Sequence, residues 1–186
     1  VLEGKIVTFG IKPNKAATGF GYIKSKEPYK ESRIKPYPIE RFIEKPNKDL
    51  AEKFFINKSY SWNSGIFMAK ASIIIQELEI YSPEIIFHCK KSLQKKIIDL
   101  DFERLEKNSF QKSPNISIDK AIMEKTSLGV VFPLDVDWSD IGSWDAVCEN
   151  SPKDENGNVL IGDAIEISSN NCLISSNSCL LYTSDA

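Results

Sequence analysis

The sequence predicts an α/β domain with a mainly parallel sheet, followed by a segment built from short strands. Up to about residue 150, β-rich runs alternate with stretches of helical periodicity, which is typical of α/β architecture. After Pro152 no helical period survives, and short alternating apolar pairs predict a small β-domain or the start of a parallel β-helix. A chain of 186 residues can form one domain with a core and part of a second. We therefore place domains at residues 1–150 and 151–178.

The first strands are separated by proline and glycine breaks. "KIVTFGIKP" (5–13) is a β-rich run that ends at a turn, and "TGFGYI" (18–23) brings two glycines into the start of the next strand. A polar stretch rich in lysine and proline (24–38) predicts a hairpin region. "IERFIEKP" (39–46) is then a third short strand, stopped by its proline.

Helices and strands alternate from there onward. Asn47 is a predicted N-cap for the helix in "NKDLAEKFFIN", "SYSWNSGIFMA" is predicted as a strand, and Pro83 suits the first turn of another helix. Ser117 is a predicted cap for a short helix in "SIDKAIMEKT", where the helix dipole favours Asp119 in the first turn. "LGVVFPLD" predicts a strand, and "SDIGSWDAVCEN" turns through Gly142 into a final helix.

Composition excludes several classes of protein. A formal net charge of -2 gives no reason to expect nucleic acid or an acidic membrane as partner, and no apolar run reaches membrane length. The four cysteines do not form CxxC pairs, which favours free thiols in a cytosolic protein. We interpret His88 as a structural residue, and Trp62 and Trp144 as core aromatics.

Both ends of the sequence are unusual. The chain begins without methionine in the middle of a strand pattern, so we expect a fragment that lacks its true N-terminus. "CLLYTSDA" (179–186) matches what a sequencing adapter gives when it is translated. We interpret residues 179–186 as adapter read-through and expect no function for Cys179.

The strand in "SYSWNSGIFMA" is interrupted by Asn63, Ser64 and Gly65, which weaken a strand. One interpretation is a structural bulge. The other is a position where a ligand must come close to the backbone.

"FIEKP" places Glu44 beside Lys45 at a strand end. Neighbours on a strand point to opposite faces, so we expect no simple salt bridge between them. A carboxylate can accept bonds from sugar hydroxyls, and an ammonium can hold a phosphate. The alternative is an exposed, charged strand end without a ligand.

"WSDIGSW" places Asp140 between a strand and a helix, where α/β folds form their ligand crevice. An aspartate there suits Mg²⁺, which takes one or two carboxylates together with phosphate oxygens. The alternative is that Asp140 or Ser139 caps the helix.

Five motifs occur together and in order: "TGFGYI", "FIEKP", "WNSGIF", "SIDKAIMEK" and "WSDIGSW". In this combination the chain resembles bacterial mannose-1-phosphate guanylyltransferases, including the bifunctional form with a mannose-6-phosphate isomerase domain. The resemblance covers residues 1 to about 178. It implies the C-terminal part of a Rossmann-like nucleotidyltransferase domain, followed by the start of a left-handed β-helix-like segment.

The resemblance also implies roles for individual residues. Gly21 would offer its backbone to the sugar, Glu44 would bind mannose hydroxyls, and Lys45 would bind the sugar phosphate. Asn63 and Gly65 would complete the sugar pocket. The implied catalytic residues are Lys45 and Asp140, and Asp140 would also be one of two Mg²⁺ ligands.

The implied reaction joins mannose-1-phosphate and GTP into GDP-mannose and pyrophosphate in the cytoplasm, with Mg²⁺ as cofactor and with a homo-oligomer as an open possibility. The family's Gly-rich triphosphate loop and second metal-binding aspartate do not occur in this sequence, so we expect the chain alone to be inactive. Two other functions stay open. One is a nucleotidyltransferase for another sugar or base, and the other is a non-enzymatic module that binds a sugar phosphate.

Overall fold

The computed structural model of the chain describes residues 3–30 and 35–183, with side chains through residue 177. The chain divides into two compact units, Val1–Val136 and Asp137–Ala186. The boundary predicted after residue 150 stays a prediction. Of the predicted read-through, residues 184–186 and the side chain of Cys179 lie outside the described residues.

Five strands of the first unit form a closed barrel in the order β1-β4-β2-β3-β7. They are β1 (Ile6–Ile11), β2 (Tyr22–Ser25), β3 (Tyr37–Ile43), β4 (Tyr60–Met68) and β7 (Gly129–Leu134). Strands β5 (Ile97–Asp99) and β6 (Phe102–Arg104) form a separate hairpin. Of the described barrel pairs, β1–β7 is parallel and the others are antiparallel. The expectation of a mainly parallel sheet is therefore wrong here, because β4 inserts between β1 and β2 and runs antiparallel to both.

The helices of the first unit are α1 (Lys48–Ile56), α2 (Ala71–Tyr81), α3 (Pro83–Gln94) and α4 (Lys107–Gln111). The N-cap predicted at Asn47 is confirmed, since its Oδ1 accepts a bond from the N–H of Leu50 at 3.0 Å. Pro83 occupies the first turn of α3, as predicted. None of the helices in the described ranges has the length and hydrophobicity that a membrane crossing requires.

A short π-helical segment, Asp119–Met123, replaces the helix predicted in "SIDKAIMEKT". The N–H of Glu124 donates to the Asp119 carbonyl at 2.9 Å, which is the i to i+5 bond of a π-helix. The cap predicted at Ser117 is wrong, because the segment begins after Ile118 without a side-chain cap bond.

The core of the first unit lies between the barrel strands and the π-helical segment. Its buried members are Ile6, Ile23, Tyr37, Phe42, Ala121, Ile122, Met123 and Val131. Full burial of an isoleucine such as Ile122 stabilises the fold by about 2 kcal/mol. Three consecutive buried residues, Ala121 to Met123, thus anchor the π-helical segment two residues after Asp119.

Strand β4 is continuous but carries a bulge against β1. Thr8 pairs with Phe67, whereas Gly10 pairs with Asn63, so the register shifts between them. Gly65 lies in the bulge with φ of 73°, a left-handed conformation that glycine adopts without a steric penalty. Of the two interpretations of this stretch, the structural bulge is confirmed, and the ligand interpretation, which the resemblance implies, stays a prediction. Trp62, 2% exposed, lies in the core as predicted.

The second unit contains α5 (Trp144–Asn150) and the parallel strand pair of β8 (Val159–Glu166) and β9 (Leu173–Thr183). The buried Asn158 holds the corner between the strands. Its Nδ2 donates to the Ser169 carbonyl at 2.9 Å, and its Oδ1 accepts from the N–H of Cys172 at 3.0 Å. The predicted strands after Pro152 are thus present, but with 8 and 11 residues they are longer than the short strands expected. Trp144 is 73% exposed, so its prediction as a core aromatic is wrong.

Candidate functional site

Glu44 and Lys45 follow the end of β3 and lie on the same side of the chain. Strand β3 ends at Ile43, and Lys45 has φ of 49°, a left-handed conformation that is uncommon for a residue with a side chain. Lys45 Nζ lies 3.8 Å from Glu44 Oε1. The prediction that these two residues do not pair is wrong, because strand alternation stops at Ile43 and the left-handed residue turns the chain. The Lys45 side chain is 66% exposed, whereas that of Glu44 is 15% exposed.

Gly21 lies against the Glu44 carboxylate. A Cβ atom at Gly21 would lie 2.6 Å from Glu44 Oε2 and 3.4 Å from Asn63 Cβ. A separation of 2.6 Å is too short for a carbon and an oxygen that are not bonded, so the glycine is what permits this approach. The structure therefore brings three of the predicted sugar-site residues together.

Asn63 is the most tightly held of the predicted site residues. Its N–H donates to the Gly21 carbonyl at 2.8 Å, and its Nδ2 donates to Asp119 Oδ1 at 3.1 Å. The Thr8 hydroxyl donates to Asn63 Oδ1 at 2.9 Å. Gly65 lies two residues further along, exposed on the bulge, and a Cβ atom added there would meet no atom within 4 Å.

Sequence reasoning missed the part that Asp119 and Glu124 take in this region. Asp119 accepts from Asn63, and a Glu124 carboxylate oxygen accepts the N–H of Glu44 at 3.2 Å. The position of Asp119 in the sequence predicts only a carboxylate in the first turn of a helix. The signal that could have found it is the acidic pair at i and i+5 inside one of the five motifs.

Glu44 has the perturbed carboxyl group of this region. Burial raises the pKa of Glu44 above its ordinary value, and the neighbouring Asp119 carboxylate raises it further. The Lys45 ammonium acts in the opposite direction, while Glu124 raises this pKa and Lys120 lowers it. A carboxylate that is costly to ionise gains from a ligand that donates hydrogen bonds to it.

Asp140 lies in the second unit and is exposed. The alternative that Asp140 or Ser139 caps the helix is wrong, because Ser143 is the N-cap of α5 and its Oγ accepts from the N–H of Ala146 at 3.2 Å. Ser139 instead accepts a bond from Asn150 Nδ2 at 2.9 Å. The Asp140 carboxylate is thus not committed to the helix.

A surface hollow of about 240 Å³ lies next to Asp140 in the chain, lined by Ile141, Gly142, Ser143, Trp144 and Val147. Its lining includes the exposed indole of Trp144. Within the residues that the structure describes, no group of three histidine, cysteine or acidic side chains could by itself hold a metal ion. Mg²⁺ is a metal that can bind a protein through one carboxylate, because it keeps its waters and binds substrate phosphates.

The remaining candidates from the sequence do not join this region. Cys89, Cys148 and Cys172 are free thiols. His88 lies half-buried on α3 with its ring edge against Phe87.

The arrangement in the first unit can bind a polyhydroxylated, anionic ligand. Carboxylates accept hydrogen bonds and offer several lone pairs, so Glu44 and Asp119 together supply more acceptors than their neighbours use. The exposed Lys45 ammonium adds a positive charge beside them, within ion-pair distance of Glu44.

Comparison with known proteins agrees with this chemistry. A mannose-1-phosphate guanylyltransferase of Klebsiella pneumoniae is 45% identical over 175 residues, which cover 94% of this chain and 37% of that relative. One from Escherichia coli is 43% identical over the same shares of both chains. The chain thus spans little more than a third of the length of these curated relatives.

Two crystal structures are similar to the fold. A protein described as a mannose-1-phosphate geranyltransferase from Thermus thermophilus matches with a TM-score of 0.72 and 25% identity, over 97% of this chain and 51% of that one. A mannose-6-phosphate isomerase from Helicobacter pylori matches with a TM-score of 0.66 and 31% identity, over 75% of this chain and 53% of that one. The nucleotidyl transferase family model matches residues 2–157, which is most of the chain. The chain therefore belongs to the nucleotidyl transferase family.

Proposed function

We propose that the complete gene product carrying this sequence transfers a guanylyl group from GTP to mannose-1-phosphate, forming GDP-mannose and pyrophosphate. The observation that carries the proposal is the convergence of Gly21, Glu44, Lys45 and Asn63 in one region of the first unit. The two relatives with 45% and 43% identity are named for this reaction, which supports the choice of sugar and base.

Glu44 would bind the sugar hydroxyls. Its side chain is largely buried, and the absence of a Cβ at Gly21 lets its carboxylate lie close to the backbone just before β2. Hydroxyl groups donate to an ionised carboxylate in charge-assisted bonds, which are about twice as strong as neutral ones. Gly21, Asn63 and Gly65 would complete the sugar pocket around it.

Lys45 would bind the phosphate of the sugar-1-phosphate. Its left-handed backbone turns the side chain to the side of Glu44, and the ammonium remains mostly exposed for a ligand. Strained backbone of this kind costs about 1 kcal/mol or more and is concentrated at functional sites. Glu44 and Lys45 would thereby bind the two parts of the ligand, its hydroxyls and its phosphate.

The reaction is an in-line displacement. An oxygen of the mannose-1-phosphate phosphate attacks the α-phosphorus of GTP, the new P–O bond forms, and the bond to the β-phosphate oxygen breaks. Pyrophosphate leaves with that oxygen. The attacking phosphate is already an anion, so catalysis depends on holding it in position and neutralising its charge, which is the role of Lys45.

Asp140 would hold Mg²⁺ through its carboxylate. Bound there, the metal would supply charge neutralisation at the α-phosphate. Asp140 is exposed and does not cap α5, which supports this role.

The second unit supports a further part of the proposal. The parallel pair of β8 and β9, joined without a helix, is compatible with the first turn of a left-handed β-helix in residues 151–178. We further propose a cytoplasmic location and a homo-oligomeric state for the complete gene product.

The test is an assay of the complete gene product with GTP, mannose-1-phosphate and Mg²⁺, measuring GDP-mannose and pyrophosphate together. Equal amounts of both products are expected. Glucose-1-phosphate and N-acetylglucosamine-1-phosphate replace the sugar in one panel, and ATP, UTP, CTP and dTTP replace GTP in a second. A higher kcat/KM with another pair would reassign the substrate. Saturable binding of mannose-1-phosphate without any product would instead indicate a binding module.

A further inference from the structure

The side-chain amide of Asn63 is held at both ends by other residues of the first unit. Its Oδ1 lies 2.9 Å from the Thr8 hydroxyl, and its Nδ2 lies 3.1 Å from Asp119 Oδ1. Thr8 is fully buried and Asn63 is 8% exposed. Water therefore does not compete freely for either bond.

The Asp119 carboxylate determines which end of the amide faces it. An ionised carboxylate only accepts hydrogen bonds, whereas the amide donates from nitrogen and accepts at oxygen. A flipped amide would put its oxygen against the carboxylate of Asp119, and two acceptors without a proton between them repel each other. The nitrogen of Asn63 consequently faces Asp119, and its oxygen faces Thr8.

This orientation also decides what the Thr8 hydroxyl does. Its oxygen lies within reach of two acceptors, Asn63 Oδ1 at 2.9 Å and the Ile66 carbonyl at 3.1 Å. With the amide oxygen facing it, Thr8 can interact favourably with Asn63 only as the donor. A side chain of the same shape without a hydroxyl would leave Asn63 Oδ1 buried without this donor.

We propose that Thr8 and Asp119 are positioning residues that set the Asn63 amide for binding a hydroxyl of the sugar-1-phosphate. The inference rests on the proposed function and extends it to the buried Thr8, which would act on the substrate only through Asn63. The second N–H of Asn63 Nδ2 has no acceptor among the described residues. A sugar hydroxyl can accept from this N–H and donate to Glu44, whose carboxylate lies against the neighbouring Gly21.

The test compares Thr8→Val with Thr8→Ser in the complete gene product, with KM for mannose-1-phosphate and KM for GTP measured separately. Valine keeps the shape and removes the donor, so we expect KM for mannose-1-phosphate to rise about fivefold while KM for GTP is unchanged. Serine restores the hydroxyl and should restore this KM. Asp119→Asn, at a partly exposed position, is the second variant should Thr8→Val fail to fold. It removes the charge that orients the amide and should raise the same KM.

Ser92→Ala is the matched control. It removes another fully buried hydroxyl, which donates to the Glu106 carbonyl at 3.2 Å. This change should leave both KM values unaltered even where it lowers the melting temperature. An equal change of KM in the Ser92→Ala and Thr8→Val variants would show that the effect reports stability alone, and the inference would fail.

A double-mutant cycle separates positioning from general support. If Thr8 acts through Asn63, Thr8→Val should have no further effect on the Kd for mannose-1-phosphate in an Asn63→Ala background. A fivefold loss of affinity for mannose-1-phosphate in both backgrounds would overturn the inference without contradicting the proposed function. If the unsubstituted protein shows no saturable binding of mannose-1-phosphate, the proposed function fails and this inference fails with it.

Discussion

The two regions that carry the proposed site residues are built in opposite ways. In the first unit, Asn63 is 8% exposed and makes hydrogen bonds to Gly21, Thr8 and Asp119. In the second unit, Asp140 is exposed, and its side chain makes no hydrogen bond within the described part of the chain. The fold thus holds Asn63, a proposed sugar-binding residue, in place before a ligand binds. It leaves the side chain of Asp140, the proposed metal ligand, accessible to a metal ion.

The difference corresponds to what each ligand supplies. A sugar is recognised by donors and acceptors at fixed positions, so its site must be ordered before the sugar arrives. A metal ion with bound phosphates orders its own ligands and requires from the protein one or two carboxylates. Substitutions in the two regions should therefore differ in their effects on binding, turnover and stability.

The largest expected effect is that of Asp140→Asn on turnover. We expect kcat of the complete gene product to fall by about 100-fold or more, because the charge that would hold Mg²⁺ is lost. The melting temperature should not change, since substitution of an exposed side chain costs within about 0.5 kcal/mol. Asp163→Asn, also at an exposed aspartate of the second unit, is the control and should retain full turnover. Unchanged turnover in Asp140→Asn would remove the metal role.

Glu44→Gln should act mainly on the sugar phosphate. Loss of charge-assisted bonds from hydroxyls is expected to lower kcat/KM for mannose-1-phosphate by about 10- to 100-fold, because such bonds contribute about 1.5–3 kcal/mol. KM for GTP serves as the internal control. A loss of kcat/KM that is equal for both substrates would contradict a specific role in sugar binding.

The same variant provides a pH test. The pKa of Glu44 is raised in the folded state, so ionisation of Glu44 opposes folding. The protonated carboxyl group therefore contributes stability that is lost as pH rises through the folded pKa. Glu44→Gln should therefore be at least as stable as the unsubstituted protein at pH 7. Its relative advantage should disappear below the ordinary glutamate pKa of about 4.3. Melting temperatures across pH 4–8 would measure this, and a variant less stable at pH 7 than at pH 4, relative to the unsubstituted protein, would contradict it.

Gly21→Ala should have an intermediate effect. The added methyl group would meet Glu44 Oε2 at 2.6 Å, so the carboxylate must move away. We expect KM for mannose-1-phosphate to rise about tenfold, which corresponds to the loss of one good hydrogen bond. Gly19→Ala is the matched control, since a Cβ there would meet nothing within 4 Å. Equal KM values in the two variants would indicate that Glu44 does not need its present position.

Asn47→Ala should have the smallest of these effects. It should lower stability and should not change binding of mannose-1-phosphate. It removes the N-cap of α1 and should lower the free energy of unfolding by about 1 kcal/mol. Asn47→Ser, which keeps a capping oxygen, should recover most of this loss. A change of KM for mannose-1-phosphate in either variant would show that α1 is coupled to the sugar region.

Local signals in the sequence predicted the elements that local chemistry determines. The cap at Asn47, the helix start at Pro83 and the bulge near Gly65 all follow from residues that are adjacent in the chain. The resemblance carried by the five motifs also implied that Gly21, Lys45 and Asn63 belong to one region with Glu44, and these residues do lie close together. The strand directions were not predictable in this way, because the insertion of β4 between β1 and β2 is not encoded in periodicity.

The missed features depend on residues that are distant in the sequence. Asn63 and Asp119 are separated by 56 positions, and Glu44 and Glu124 by 80. The acidic pair of Asp119 and Glu124 marks this segment in the sequence, but nothing near Asp119 in the chain identifies Asn63 of β4 as its partner. Likewise, the exposure of Trp144 depends on what packs around α5 and not on its own hydrophobicity.

The π-helical segment makes this region sensitive to chain length. Its i to i+5 bond holds one residue more than an α-helical turn would. Asp119 at its start bonds to Asn63, while Glu124 at its end bonds to the backbone of Glu44. Deleting one residue between them would allow a more regular α-helix but would turn one carboxylate by about 100° relative to the other. The two acidic contacts could then no longer form together, so the π-helical segment acts as a spacer whose length matches one partner on β4 and one just after β3.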